Sequence, residues 1–78
     1  MKGYHCTTEK KLARYKRTGC ILPPVRFWTT LYSAKRWLKK TGRNIVLEFD
    51  VPKNSYPLPI KYGAMWSNEL VRTYEVIK

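Results

Sequence analysis

Asn44-Ile45-Val46-Leu47-Glu48-Phe49-Asp50-Val51 is the stretch that sets the architecture of this chain. Ile45, Leu47, Phe49 and Val51 alternate with Val46, Glu48 and Asp50, and a period of two predicts a strand with one polar face. Pro52 ends it, because proline has no backbone N–H to give to a ladder. A strand of this kind needs pairing partners and a cover over its apolar face, so the flanking sequence must supply both.

Upstream, two units of the same form supply the cover. Thr7 or Thr8 caps a helix that runs to about Thr18, with Glu9 in its first turn and Gly19 as its C-terminal cap. Leu12, Ala13 and Tyr15 form its narrow apolar face. Thr29 or Thr30 caps a second helix, about 31–41, ended by Gly42. Leu31, Ala34, Trp37 and Leu38 recur at helical spacing and mark its buried side. Strands are predicted before each helix, at 2–6 and at 25–29, and Pro23-Pro24 separates the second from Cys20-Ile21-Leu22.

Downstream, 52–60 holds three prolines and predicts an irregular surface loop. A short strand at 60–62, one helical turn at Asn68-Glu69-Leu70 and a last strand over 71–77 complete the order β-α-β-α-β-loop-β. The expected fold is one α+β domain over residues 1–78: a small mixed sheet of about four to five strands with two helices.

Sixteen Lys and Arg stand against five acids in 78 residues, a net charge of +11. Self-repulsion at this density opposes the compact state, and a polyanionic partner relieves it. The basic residues lie within periodic, aromatic-rich sequence, so the charge belongs to a folded surface and not to a disordered arm. Ten of the sixteen fall in two segments: Lys10, Lys11, Arg14, Lys16 and Arg17, then Lys35, Arg36, Lys39, Lys40 and Arg43. If both helices cover one side of the sheet, these charges form a single phosphate-steering field, with Tyr15, Trp28, Tyr32 and Trp37 between them as stacking surfaces. The alternative is a solvated face, with Trp37 and Tyr15 as core anchors.

Other chemistry finds less support. His5, Cys6 and Cys20 lack the paired spacing and the fourth ligand of a structural metal site, so no metal is expected. His5 and Cys6 are neighbours in a strand and point to opposite faces, which rules out a Cys–His nucleophile pair. Glu48 and Asp50 share a face of the central strand, as the polar side of any half-exposed strand does. No apolar leader opens the chain and no run is long enough to span a membrane, so the expected location is cytoplasmic, with reduced cysteines.

Tyr4-His5-Cys6-Thr7, then a helix, then Gly19-Cys20-Ile21, resembles the opening of ADP-ribosyltransferase-fold proteins, among them diphtheria-type toxins, poly(ADP-ribose) polymerases and RNA 2′-phosphotransferase. Phe27-Trp28-Thr29-Thr30, with Ala34 and Trp37 in the following helix, is similar to the family's aromatic-Ser/Thr strand. The strand Ile45 to Val51, ending at Pro52, follows in the same order. The resemblance covers about residues 3–52. It implies NAD as a cofactor, His5 on its ribose, the backbone of Cys6 on the nicotinamide amide, and Phe27 or Trp28 stacked on the ring. Glu69 and Glu75 are the candidates for a catalytic glutamate. The family's glycine after the histidine is Cys6 here, and the chain is shorter than a full transferase domain.

The expected function is binding of a phosphate-bearing ligand, a nucleotide or nucleic acid, in a cleft lined by His5, Thr7 and Trp28. Two alternatives stand beside it. One is an active small transferase using NAD or an RNA phosphate. The other is an interaction module or inhibitor that docks on an acidic protein through an apolar patch of Tyr62, Met65 and Trp66.

Overall fold

The computed structural model of the protein describes residues 1–59 and 63–77, so the strand expected at 60–62, with Tyr62, lies outside the described residues. The elements in chain order are β1 (Lys2–Thr7), α1 (Glu9–Thr18), β2 (Val25–Phe27), α2 (Leu31–Thr41), β3 (Ile45–Asp50), β4 (Ser55–Pro57), β5 (Met65–Ser67) and β6 (Glu75–Val76).

β3 takes the centre of a three-stranded antiparallel sheet. It pairs along its whole length with β1, from Lys2 opposite Asp50 to Thr7 opposite Ile45, and carries β6 on its other edge. Side chains alternate across a strand. Gly3, His5 and Thr7 therefore share one face with Phe49, Leu47 and Ile45, while Tyr4 and Cys6 share the other with Glu48 and Val46.

Each face has its own helix. Leu12 and Tyr15 of α1 pack with Ile45, Leu47 and Phe49, joined by Ile21, Val25, Phe27 and Val71. Ala34 and Leu38 of α2 pack with Cys6 and Val46, joined by Trp28 and Ala64. The sheet is thus sandwiched between the helices, which explains why Val46 is apolar at a position where strict alternation would put a polar residue. Leu38→Ala would leave a cavity in the second cluster costing about 2–5 kcal/mol.

The helix ends form as their capping residues dictate. The Thr8 and Thr30 hydroxyls accept the N–H groups of Lys11 at 3.3 Å and Ser33 at 3.2 Å. Gly19 ends α1 in the left-handed region at φ 79°, its N–H on the Tyr15 carbonyl at 2.8 Å. Gly3 serves a different need. A Cβ there would sit 2.9 Å from the Phe27 ring, so the core closes over β1 only because that side chain is missing.

The second sheet is also three-stranded and antiparallel, in the order β2-β5-β4. The α+β class and the two helices stand as the sequence predicts. The strands differ in number and grouping: six in two antiparallel sheets, where one mixed sheet of four to five was expected. β4 lies inside the proline-rich segment and β5 where no strand was predicted. At three residues each, they are too short to show a period of two. Residues 68–70 form a bend and not a helical turn. The expected last strand is reduced to Glu75–Val76 and an isolated bridge between Ile21 and Val71. Among the described residues, no helix is long and apolar enough to cross a membrane.

Candidate functional site

The two sheets meet at one residue pair. Tyr4 of β1 and Trp28, just after β2, exchange both backbone hydrogen bonds, at 2.8 and 2.9 Å. In an antiparallel ladder the next such pair falls two residues on in each strand, which is Cys6 with Arg26. That pair does not form. The Arg26 carbonyl accepts the His5 Nδ1–H at 2.6 Å instead, and the Cys6 carbonyl accepts Arg43 Nη1–H at 3.0 Å. Side chains thus satisfy both carbonyls that a continued ladder would use. The strands diverge there, and the gap between them is a pocket.

The pocket has a volume of about 460 Å³, within the range of small-molecule sites. Lys11 and Tyr15 reach it from α1, Arg26 from β2, Trp66 from β5, and Arg43 from the segment after α2. His5 forms its floor, with Pro24, Leu58 and Asn68 completing the wall. Arg26 and Trp66 are register partners, so they project from the same face of the second sheet. Tyr56, opposite Trp66 on its other side, stacks against it with ring centroids 5.3 Å apart.

His5 is buried and fixed in one tautomer. A carbonyl only accepts, so Nδ1 carries the proton; Nε2 is then an acceptor for the Tyr15 hydroxyl at 3.2 Å. Burial holds the imidazole well below its ordinary value, at about 4. The cations of Arg43, Lys11 and Arg26 push the same way, against the hydrogen bond to the Arg26 carbonyl. At neutral pH the ring is uncharged, so the pocket's charge comes from Lys11, Arg26 and Arg43. Among the described residues that line it there is no carboxylate.

Several predicted site residues lie elsewhere. Phe27 and Trp28 are both in the core, at 0 and 1 % exposure, Phe27 edge-on to Phe49 and Trp28 against Trp37. The aromatic walls of the pocket are Trp66 and Tyr15 instead. Thr7 is fully buried, on the same face as His5 but not in the pocket wall. Cys6 points to the opposite face, where its thiol donates to the Ala34 carbonyl at 3.1 Å and burial pushes its pKa up to about 11. Glu75 is the register partner of Glu48, on the face opposite His5. Glu69 accepts the Asn54 N–H at 3.0 Å and does not line the pocket.

The basic residues divide in the same way. The helices cover opposite faces of the sheet, so their charges do not form one field. Of the predicted steering residues, Lys11 and Arg43 reach the pocket. Lys10, Arg14 and Arg17 lie on the exposed side of α1, and Lys35, Arg36, Lys39 and Lys40 on the exposed side of α2. The sequence signal for Arg26 was its place between Val25 and Phe27, both fully buried, which forces the arginine outward. Trp66 was expected in an apolar docking patch with Tyr62 and Met65 and not in a pocket wall, because β5 was not legible; Met65 and Trp66 are half-buried, and Tyr62 lies outside the described residues. Comparison with family models, curated proteins and solved structures finds no match to this chain.

Proposed function

We propose that this chain binds a nucleotide, phosphates first, in the pocket where β1 and β2 diverge. The observation that carries this reading is the convergence of Lys11, Arg26 and Arg43 with the Trp66 indole around an uncharged, buried His5. Guanidinium groups match phosphate oxygens in geometry as well as charge. An indole beside them offers a flat apolar surface for a base, and such stacking contributes about 1–3 kcal/mol. The neutral histidine keeps the floor of the pocket from adding charge that the ligand would have to balance.

Binding without turnover is favoured over transfer. Glu69 and Glu75 bring no carboxylate to the pocket, and both nitrogens of His5 are engaged by protein groups. The cation set fits the phosphates of NAD. The aromatics that the family resemblance assigns to the nicotinamide, Phe27 and Trp28, are closed in the core, so no step through that ring follows from this arrangement.

A two-dimensional NMR titration with ADP and with NAD tests the reading. Saturable shifts at the Trp66 indole and at Arg26 and Arg43, with the Trp28 and Trp37 indoles unmoved, are expected. An unmoved Trp66 indole at millimolar concentrations of both compounds would reject it.

A further inference from the structure

Helix α2 presents a second basic surface that the pocket does not use. Lys35 and Arg36 lie three and four residues after Tyr32, and Lys39 and Lys40 lie four residues after each of these in turn, which aligns all five along one side of the helix. All are exposed. The opposite side is anchored by Ala34 and Leu38 against Cys6 and Val46. The stripe therefore faces away from the sheet, on the far side from α1 and His5, and none of its residues lines the pocket.

Two features of the stripe point to its partner. The helix holds no acidic residue, so its own sequence offers Lys35, Lys39 and Lys40 no i,i+4 ion pair to offset their crowding. The helix dipole favours only those in the last turn, Lys39 and Lys40. Lys35 and Arg36 lie nearer the positive end. At that end Tyr32 is 72 % exposed, with the Arg36 guanidinium 5.7 Å from its ring centre. An exposed aromatic at the head of a row of cations is the arrangement that holds unpaired bases and the phosphates linking them. A duplex hides its base faces and has no use for the tyrosine.

We propose that the α2 stripe binds single-stranded nucleic acid, independently of the pocket. Tyr32 stacks on a base while Lys35, Arg36, Lys39 and Lys40 track the following phosphates. The chain then holds a strand on one face of its central sheet and a nucleotide on the other.

Anisotropy of a fluorescein-labelled oligouridylate tests this across a range of salt. Lys39→Glu with Lys40→Glu is expected to weaken binding by more than tenfold. It should also flatten the slope of log K against log salt by about 1.4, at about 0.7 for each lost phosphate contact on a single strand. Tyr32→Ala should weaken binding by about 5- to 150-fold, with little change in slope. Lys10→Glu with Arg14→Glu on α1 makes the same change in net charge and should leave affinity within about twofold, as should Arg26→Ala in the pocket. The proposal fails if the α1 pair weakens binding as much as the α2 pair, since net charge alone then explains it. It also fails if Arg26→Ala abolishes binding, if Tyr32→Ala has no effect, or if a duplex binds as tightly as the single strand. Each outcome is independent of whether ADP or NAD titrates the pocket.

Discussion

Tyr15 gives its phenolic hydrogen to His5 Nε2 across 3.2 Å, while His5 gives its Nδ1–H to the Arg26 carbonyl across 2.6 Å. A helix, a strand of the first sheet and a strand of the second are thus tied through one imidazole, and burial keeps that ring neutral. Protonation at Nε2 would reverse the bond to the Tyr15 hydroxyl and place a buried charge beside Lys11, Arg26 and Arg43.

Stability should therefore fall as the solution is acidified. His5 stays unprotonated in the folded chain down to about pH 4, whereas the unfolded chain takes up the proton near pH 6.5. The unfolded state binds more protons between those values, so folding loses free energy as pH drops through that window and keeps it in full above it. The limit is roughly 3 kcal/mol. Urea midpoints at pH 7.5 and 4.5 should differ by more in the native chain than in His5→Gln. An equal difference in both would assign the effect to other groups.

Tyr15→Phe keeps the ring in the core and removes the donor. It leaves Nε2 buried without a partner, at a cost of about 1–3 kcal/mol. The same substitution should raise the His5 pKa, because the freed nitrogen can take a proton, and NMR titration of the imidazole reads that change. A pKa left near 4 would show that burial alone sets it.

Arg43→Lys should not substitute for the native residue. A guanidinium can hold the Cys6 carbonyl and still present further N–H groups to a phosphate, whereas an ammonium is a compact point charge. Arg43→Lys and Arg26→Ala are each expected to weaken ADP binding by more than tenfold, with Lys53→Ala unchanged. Calorimetric titration measures all three, and wild-type affinity in Arg43→Lys would remove the arginine from the site.

Thr7→Val is expected to stabilise the chain, by up to about 1 kcal/mol. The Thr7 hydroxyl is fully buried, and among the described residues it has no hydrogen-bond partner, so its desolvation is uncompensated. Gly3→Ala works in the other direction. Its new Cβ would stand 2.9 Å from Phe27 and 3.2 Å from Phe49, and overpacking of this kind costs about 1–3 kcal/mol. Thermal melts of the two variants should move to opposite sides of the parent.

The sequence was most legible where structure is local. Thr30, the Leu31–Thr41 helix and Gly42 could be placed because cap, apolar spacing and left-handed glycine lie within one short segment. The strand Ile45–Asp50 was as clear, because an apolar residue recurs at every second position from Ile45 and Glu48 and Asp50 fall between. What escaped depended on contacts remote in sequence. Nothing near Trp28 shows that it bonds to Tyr4, and without that pair neither the division into two sheets nor the pocket between them can be foreseen. The same gap misplaced the aromatic role. Phe27 and Trp28 follow the outward-facing Arg26, but the close approach of Gly3 draws Phe27 inward and α2 covers Trp28. Trp66, half-buried, became the ring of the pocket wall only through a strand of three residues.

Arg43 holds the Cys6 carbonyl from the edge of one sheet, and Arg26 lies on the first strand of the other. A bound phosphate that grips both guanidinium groups becomes a brace across the divide. Occupancy should then slow the breathing of the whole junction as well as fill the pocket. Amide exchange at Tyr4 and Trp28, neither of which lines the pocket, would report it as protection that grows with ligand.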